Sequence, residues 1–314
     1  MIEVQNVSKS YGPVHAVRDI SFSVKRGEIL GFLGPNGAGK TTTMRILSCF
    51  MPATAGTARV AGYDVFNEAM EVKKRIGYLP ENPPLYLEQT VDDFLRFVAG
   101  IKGVPSQDVK SKIDRALTLT STMDVRHRII GKLSKGFRQR IGLAQALIHE
   151  PEILILDEPT VGLDPAQIIE VRELIKGLAG DHTIILSTHI LPEVEQTCDR
   201  VVIINKGQVV AEDTTTGLTR KLQGAASTVK LEAEGEPEAV KAVLQSVEGV
   251  ANVTHTAGAY MIESTADHDI RSDLAKAIVK KDFKLFGLQR VGMNLEEIFL
   301  QLVKSENGAG RNEA

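Results

Sequence analysis

Apolar and polar positions alternate from the first residue to about residue 33. Ile2, Val4 and Val7 open the pattern, and Ile20, Phe22 and Val24 continue it between serines, which predicts strands. Tyr11-Gly12-Pro13 predicts a turn, and Ile29-Leu30-Gly31-Phe32-Leu33 a buried strand. A helical run covers 42–50, ended by Pro52 and Gly56, and Thr57-Ala58-Arg59-Val60 returns to β. Ile76-Gly77-Tyr78-Leu79 is a short strand followed by prolines at 80, 83 and 84, which forbid helix and leave an extended linker. Helices then take over. Thr90-Val91-Asp92-Asp93 has the form of a capping box, and Val91, Phe94, Leu95 and Val98 form one stripe. Val109, Ile113, Ala116 and Leu117 mark a second helix, and 138–149 a third. Residues 83–150 thus read as a mostly helical insert.

The α/β pattern resumes at Ile153-Leu154-Ile155-Leu156-Asp157, an unbroken apolar run of the kind parallel sheets bury on both faces. A helix over 166–178 and strands over 183–187 and 201–204 complete a strand–helix alternation that predicts an α/β domain over 1–218. Beyond a linker near Thr214 and Gly224, residues 219–304 read as a small α+β domain. Its order is β-α-β-β-α-β, the ferredoxin-like arrangement, with one more helix from Asn294. Residues 305–314 are polar and Gly-rich and read as a disordered tail.

Bulk composition narrows the function classes. A net charge of −3 offers no general attraction for nucleic acid. Beyond residue 219 there are 12 basic and 14 acidic side chains, so no basic patch by count. Trp is absent and aromatics make up 5%, which leaves no platform for stacking bases. The two cysteines, Cys49 and Cys198, have no paired spacing, which points to a reducing compartment. No apolar run approaches the roughly 18 residues of a membrane span.

The chemistry is concentrated in Gly34-Pro35-Asn36-Gly37-Ala38-Gly39-Lys40-Thr41-Thr42. It lies between a buried strand and a helix, with the spacing of a phosphate-binding loop. Glycines let the backbone turn its amides inward, and the helix start adds unpaired N–H groups. Lys40 reaches β- and γ-phosphates there, and the Thr41 hydroxyl helps hold Mg2+. Asp157, at the end of an apolar strand, is placed to hold the same ion, and Glu158 to polarise a water. A serine and a glycine before a helix, Ser134 and Gly136, form a weaker phosphate signal.

Taken in order, Tyr11, the phosphate loop, Leu133-Ser134-Lys135-Gly136-Phe137-Arg138-Gln139, the Asp157-Glu158 pair, Gly162-Leu163-Asp164 and Ser187-Thr188-His189 resemble the nucleotide-binding subunit of ATP-binding-cassette transporters. The resemblance covers residues 1 to about 215. It implies a P-loop NTPase core with a mostly parallel sheet, an antiparallel N-terminal part and a helical insert. ATP and Mg2+ are the implied cofactors, and ATP hydrolysis the implied reaction. Tyr11 would stack on adenine with Val17 beside it. Ser134 and Gly136 would contact ATP held by a second cassette, Asp164 would lie at the dimer seam, and His189 would contact the γ-phosphate. Two subunits, identical or related, would stack head to tail. Permease subunits would dock near Pro83-Pro84-Leu85-Tyr86-Leu87, placing the chain on the cytoplasmic face of the membrane.

Two positions depart from the family pattern. Glu81 stands where glutamine is usual, replacing a neutral Mg2+ ligand by a charged one. The signature reads Ser-Lys-Gly-Phe-Arg-Gln instead of Ser-Gly-Gly-Gln. Both resemble a bacterial subfamily tied to export and gliding motility. The competing functions are a soluble cassette ATPase acting on nucleic acid or ribosomes, and a nucleotide switch with a sensor domain. The single cassette argues against the first, and Glu158 with His189 against a hydrolytically inert switch.

Overall fold

The alternating N-terminal segment forms two long strands, β1 (Ile2–Tyr11) and β2 (Val14–Val24), paired antiparallel. With β4 (Ala55–Val60) and β5 (Tyr63–Asp64) they make a four-stranded antiparallel sheet ordered β2-β1-β4-β5. This is a computed structural model of the whole chain, and it describes residues 1–214, 217–218, 227–256, 258–264 and 269–291. The chain divides between Thr215 and Thr216 into two compact units, slightly before the boundary expected after 218. The helix expected from Asn294 and the tail over 305–314 lie outside the described residues.

The unbroken apolar runs become the centre of a second, six-stranded sheet. Its members are β3 (Ile29–Leu33), β6 (Ile76–Leu79), β7 (Ile153–Asp157), β8 (Thr183–Thr188), β9 (Arg200–Asn205) and β10 (Gln208–Thr214). The order is β10-β9-β3-β8-β7-β6, parallel throughout except for the antiparallel β10 edge. Every residue of β3, β7 and β8 is buried, as strands covered on both faces must be. Helix α1 (Lys40–Leu47) follows β3. One apolar core joins α1 to both sheets through Met44, Leu47, Val4, Phe22, Phe32 and Ile155.

Elements not read from the sequence include α2 (Ala69–Arg75), β10, and α7 (Leu191–Thr197). The insert holds α3 (Val91–Ile101), α4 (Val109–Leu119) and α5 (Lys135–Leu147), which close on a core of their own containing Phe94, Leu95, Ile113, Leu117 and Ile141. The Thr90 hydroxyl accepts the Asp93 N–H and caps α3. Helix α5 starts three residues earlier than expected, because Ser134 caps it and accepts the Phe137 N–H at 3.3 Å. Helix α6 (Pro165–Gly177) joins β7 to β8.

In the second unit, β11 (Ser227–Glu234), α8 (Pro237–Gln245), β12 (Val250–Thr256), β13 (Ala259–Ser264), α9 (Arg271–Lys280) and β14 (Lys284–Val291) follow the expected order. The sheet is ordered β12-β13-β11-β14 and wholly antiparallel, the ferredoxin-like topology. Val240, Leu244, Leu274 and Ile278 from the helices cover Val229, Leu231, Tyr260 and Ile262 from the strands.

Candidate functional site

The carboxyl ends of β3, β8, β7 and β6 lie side by side in the large sheet, and the residues just beyond them share one cleft. Its volume is about 480 Å³. Asn36, Gly37, Gly39, Lys40, Thr41 and Thr42 line it, together with Glu81, Glu158 and His189. Ala16 and Val161 also line it, neither singled out by the sequence.

The loop after β3 is shaped by close approach. Gly39 caps α1 at φ 107°, and a Cβ there would stand 2.5 Å from the Ala16 carbonyl oxygen. A Cβ on Gly34 would come within 2.4 Å of the Ile204 carbonyl oxygen. Both contacts are with backbone, which has nowhere to move. Gly39→Ala is therefore expected to weaken nucleotide binding at least about tenfold through strain at a left-handed position. Titration with a fluorescent ATP analogue measures it, and wild-type affinity would contradict the steric argument.

Lys40 is buried, 5% exposed, and its ammonium is held at three points. It donates to the Gly34 carbonyl at 2.8 Å and the Pro35 carbonyl at 3.2 Å, and pairs with Glu158 Oε1 at 3.1 Å. The other Glu158 oxygen lies 2.8 Å from His189 Nδ1. Glu158 itself sits at φ 51°, a left-handed conformation unusual for a residue with a Cβ. Its amide donates to the Ser187 carbonyl at 2.9 Å, which joins the ends of β7 and β8. Lys40, Glu158 and His189 thus form one chain of contacts.

Asp157 is 1% exposed, and its Oδ1 has no hydrogen-bond partner. Burial pushes its carboxyl above the usual carboxylate range. The Ser187 and Thr41 hydroxyls counter that shift, and the charges of Glu158 and Glu81 add to it. An orphaned buried oxygen beside a hydroxyl and a second carboxylate fits a divalent cation held by Asp157, Thr41 and Glu81. No cluster of three or more His, Cys, Asp or Glu ligands occurs among the described residues. A cation here would complete its shell with ligand oxygens or water, as Mg2+ does.

The other sequence-derived residues lie outside this cleft. Tyr11 ends β1, 44% exposed, and its hydroxyl meets Met51 Sδ at 2.9 Å. Val17 is buried behind the loop, its Cγ2 3.3 Å from where a Gly39 Cβ would stand. Pro35 and Ala38 contribute backbone, Ala38 accepting the Gly207 N–H at 3.0 Å. Ser134 caps α5, and Asp164 caps α6 by accepting the Gln167 N–H at 3.0 Å. These two caps are neighbours: a Cβ on Gly136 would strike the Gln167 side chain at 2.6 Å. Sequence reading missed Glu193, a buried carboxylate on α7. Its only signal was an acid four positions after His189 in a short Pro-started helix.

Comparison with known proteins places this geometry. Residues 17–161 match the family model described as ABC transporter. The chain is 36% identical over 306 residues to the linearmycin resistance ATP-binding protein LnrL of Bacillus subtilis (strain 168), spanning 96% of this chain and 98% of that protein. A solved ATP-binding subunit of an ABC transporter superposes with a TM-score of 0.65 at 31% identity, over 71% of this chain and 93% of that one. A dimeric bacterial ABC transporter cassette superposes with a TM-score of 0.63 over 68% of this chain and 98% of its own, a likeness of fold at 23% identity.

Proposed function

This chain belongs to the family of ABC transporter ATP-binding subunits, and from that premise we propose that it hydrolyses ATP to power export through separate membrane subunits. The observation that carries the reading is the single chain of contacts from Lys40 through Glu158 to His189, at 3.1 and 2.8 Å, in a cleft floored by a glycine-rich loop. The loop amides of Gly37, Gly39, Lys40, Thr41 and Thr42 receive the phosphates at the start of α1. Glu158 accepts a proton from a water aimed in line at the γ-phosphorus. The Lys40 ammonium and His189 stabilise charge on the phosphoryl oxygens as the bond to ADP breaks. Thr41, Asp157 and Glu81 would hold Mg2+, which would supply further charge compensation there. Phosphates compete with Glu158 for Lys40, so nucleotide entry loosens the carboxylate that does the chemistry.

In this reading the active unit is a head-to-tail pair of cassettes. Ser134, Gly136 and Asp164 lie off the cleft yet beside one another, on α5, α6 and the turns before them. That arrangement suits contact with ATP bound by the second cassette, which then binds the two together. Export is favoured by the full-length similarity to a protein named for linearmycin resistance.

The permease surface we assign is Pro83-Pro84-Leu85-Tyr86-Leu87 together with the groove that Pro84 lines. A cavity of about 450 Å³ opens there, with Phe50, Ile76, Pro80 and Pro84 in its walls and Arg45, Lys73 and Lys102 around it. None of the three cations has a carboxylate within salt-bridge distance among the described residues. No helix among those residues is long and apolar enough to cross a membrane.

The test is affinity purification of the tagged Glu158→Gln chain from detergent-solubilised membranes with Mg-ATP. Co-purification of a polytopic membrane protein supports the reading, and recovery of ribosomes or nucleic acid instead overturns it. Lys73→Glu combined with Arg45→Glu is expected to reduce permease recovery at least about tenfold. Unchanged recovery would move the docking surface elsewhere.

A further inference from the structure

Glu193 is a carboxylate that the proposed chemistry leaves unused, yet it is only 3% exposed and no cation pairs with it among the described residues. Burial pushes its carboxyl above the usual range, opposed by hydrogen bonds from Thr160 and Thr188. Burying such a group is unfavourable unless its oxygens are satisfied. Here two hydroxyls from two different segments satisfy them.

One oxygen of Glu193 receives the Thr160 hydroxyl, in a short hydrogen bond. The other receives the Thr188 hydroxyl at 2.8 Å. Thr160 follows Glu158 by two positions and accepts the Leu163 N–H at 3.1 Å through its carbonyl, in the turn that leads to Asp164. Thr188 immediately precedes His189, and its oxygen also accepts the Ile190 N–H at 3.0 Å. Glu193 therefore ties the chain after Glu158 to the chain at His189, from behind the 2.8 Å contact between those two side chains.

The donor–acceptor pattern suits a carboxylate. The Thr188 oxygen accepts from Ile190, and its own proton is directed at Glu193. The Thr160 proton goes there too. Two donors converge on one side chain, which must offer two acceptors. Ionised glutamate does, whereas glutamine offers one acceptor and turns a donor toward the other hydroxyl, which must then swing its own proton away from the bridge.

We propose that Glu193 is a positioning residue for ATP hydrolysis: its carboxylate fixes the separation of Glu158 and His189 by holding Thr160 and Thr188 at once. This rests on the ATPase reading above. It requires that Glu193 act on turnover and leave nucleotide binding alone, because it touches neither the phosphate loop nor the cleft.

The test compares full-length wild type with Glu193→Gln, Thr188→Val, Thr188→Ser and the Glu193→Gln/Thr188→Val double variant. Steady-state ATP hydrolysis, affinity for a fluorescent ATP analogue and the thermal midpoint are measured on each, with Glu158→Gln as a control. Glu193→Gln and Thr188→Val are expected to lower kcat about tenfold, with KM and analogue affinity within about twofold of wild type, as a small misplacement of reacting groups does. Thr188→Ser keeps the hydroxyl and should restore wild-type kcat. The double variant should be no worse than either single one, since both cut the same link. Unchanged kcat in Glu193→Gln overturns the proposal. So do additive losses, or a parallel fall of kcat, affinity and thermal midpoint, which marks a merely structural residue. The controls separate the two readings. Wild type without turnover, or Glu158→Gln with full turnover, overturns the ATPase reading itself. Active wild type with equally active Glu193→Gln overturns only the positioning role.

Discussion

Replacing Glu158 with glutamine is expected to lower ATP turnover by at least about 100-fold while nucleotide stays bound. Glutamine keeps the size of the side chain, and its carbonyl can still accept from the Lys40 ammonium that stands 3.1 Å away. What it loses is the ability to take a proton from water. It also removes one of two adjacent acids, Asp157 and Glu158, that face an anionic ligand. ATP affinity should therefore hold or rise as turnover falls. Single-turnover phosphate release and equilibrium binding on the same preparation measure both halves. A variant that hydrolyses at the wild-type rate would show that another group polarises the water.

The second large effect is expected at Lys40. Its pair with Glu158 is buried, at 5% and 6% side-chain exposure, so truncating one partner strands the other charge away from water. Breaking buried pairs of this kind costs about 3–5 kcal/mol in general, and the His189 contact offsets part of it. Lys40→Ala should lose ATP affinity by at least about 100-fold and also lower the thermal midpoint. The diagnostic variant is Lys40→Ala/Glu158→Gln. Removing the stranded charge should return part of the lost stability, so the double variant melts above Lys40→Ala. Equal or lower melting would mean that the pair contributes nothing to the fold, and that the lysine matters for phosphate alone.

What could be read from the sequence followed the strength of local signals. Strands β3, β7 and β8 announced themselves as unbroken apolar runs because they are covered on both faces. Helix α3 was legible because its capping residue and apolar stripe agree. Helix α2 was not: it buries only Val72 and is otherwise rich in charge, held by Glu71–Arg75 and Glu71–Lys74 pairs. Helix α7 is seven residues long and entered through Pro192, too brief for periodicity to register. Strand β10 is a half-buried antiparallel edge whose pattern reads as loop. The start of α5 was hidden because Gly136, in its first turn, looks like a loop residue until Ser134 is seen capping it.

The site was legible to the same degree. The spacing around Lys40 and the Asp157-Glu158 pair carry local signals, so their chemistry could be argued residue by residue. Their assembly could not. Glu158 and His189 are 31 positions apart, as are Pro151 and His182, another pair that only the sheet brings together. The bridge from Glu193 to Thr160 crosses 33 positions and depends on α7, which the sequence did not reveal. Tyr11 was singled out only by its place in the motif order; no local signal foretold the contact of its hydroxyl with Met51.

Helix α5 meets the sheet edge at two glycines. A Cβ on Gly77 would lie 2.2 Å from the Ala146 carbonyl oxygen, and one on Gly142 would lie 2.8 Å from Pro83. Gln145 and His149 add bonds to the Tyr78 and Ile76 carbonyls at 2.8 and 3.0 Å. The helix is thus a lever whose fulcrum sits against the proline linker, with the Ser134 end about 12 Å along its axis. A tilt of about 10° there swings that end by about 2 Å, more than a hydrogen bond tolerates. A push too small to disturb the core is, at the far end of this arm, enough to make or break a contact of Ser134.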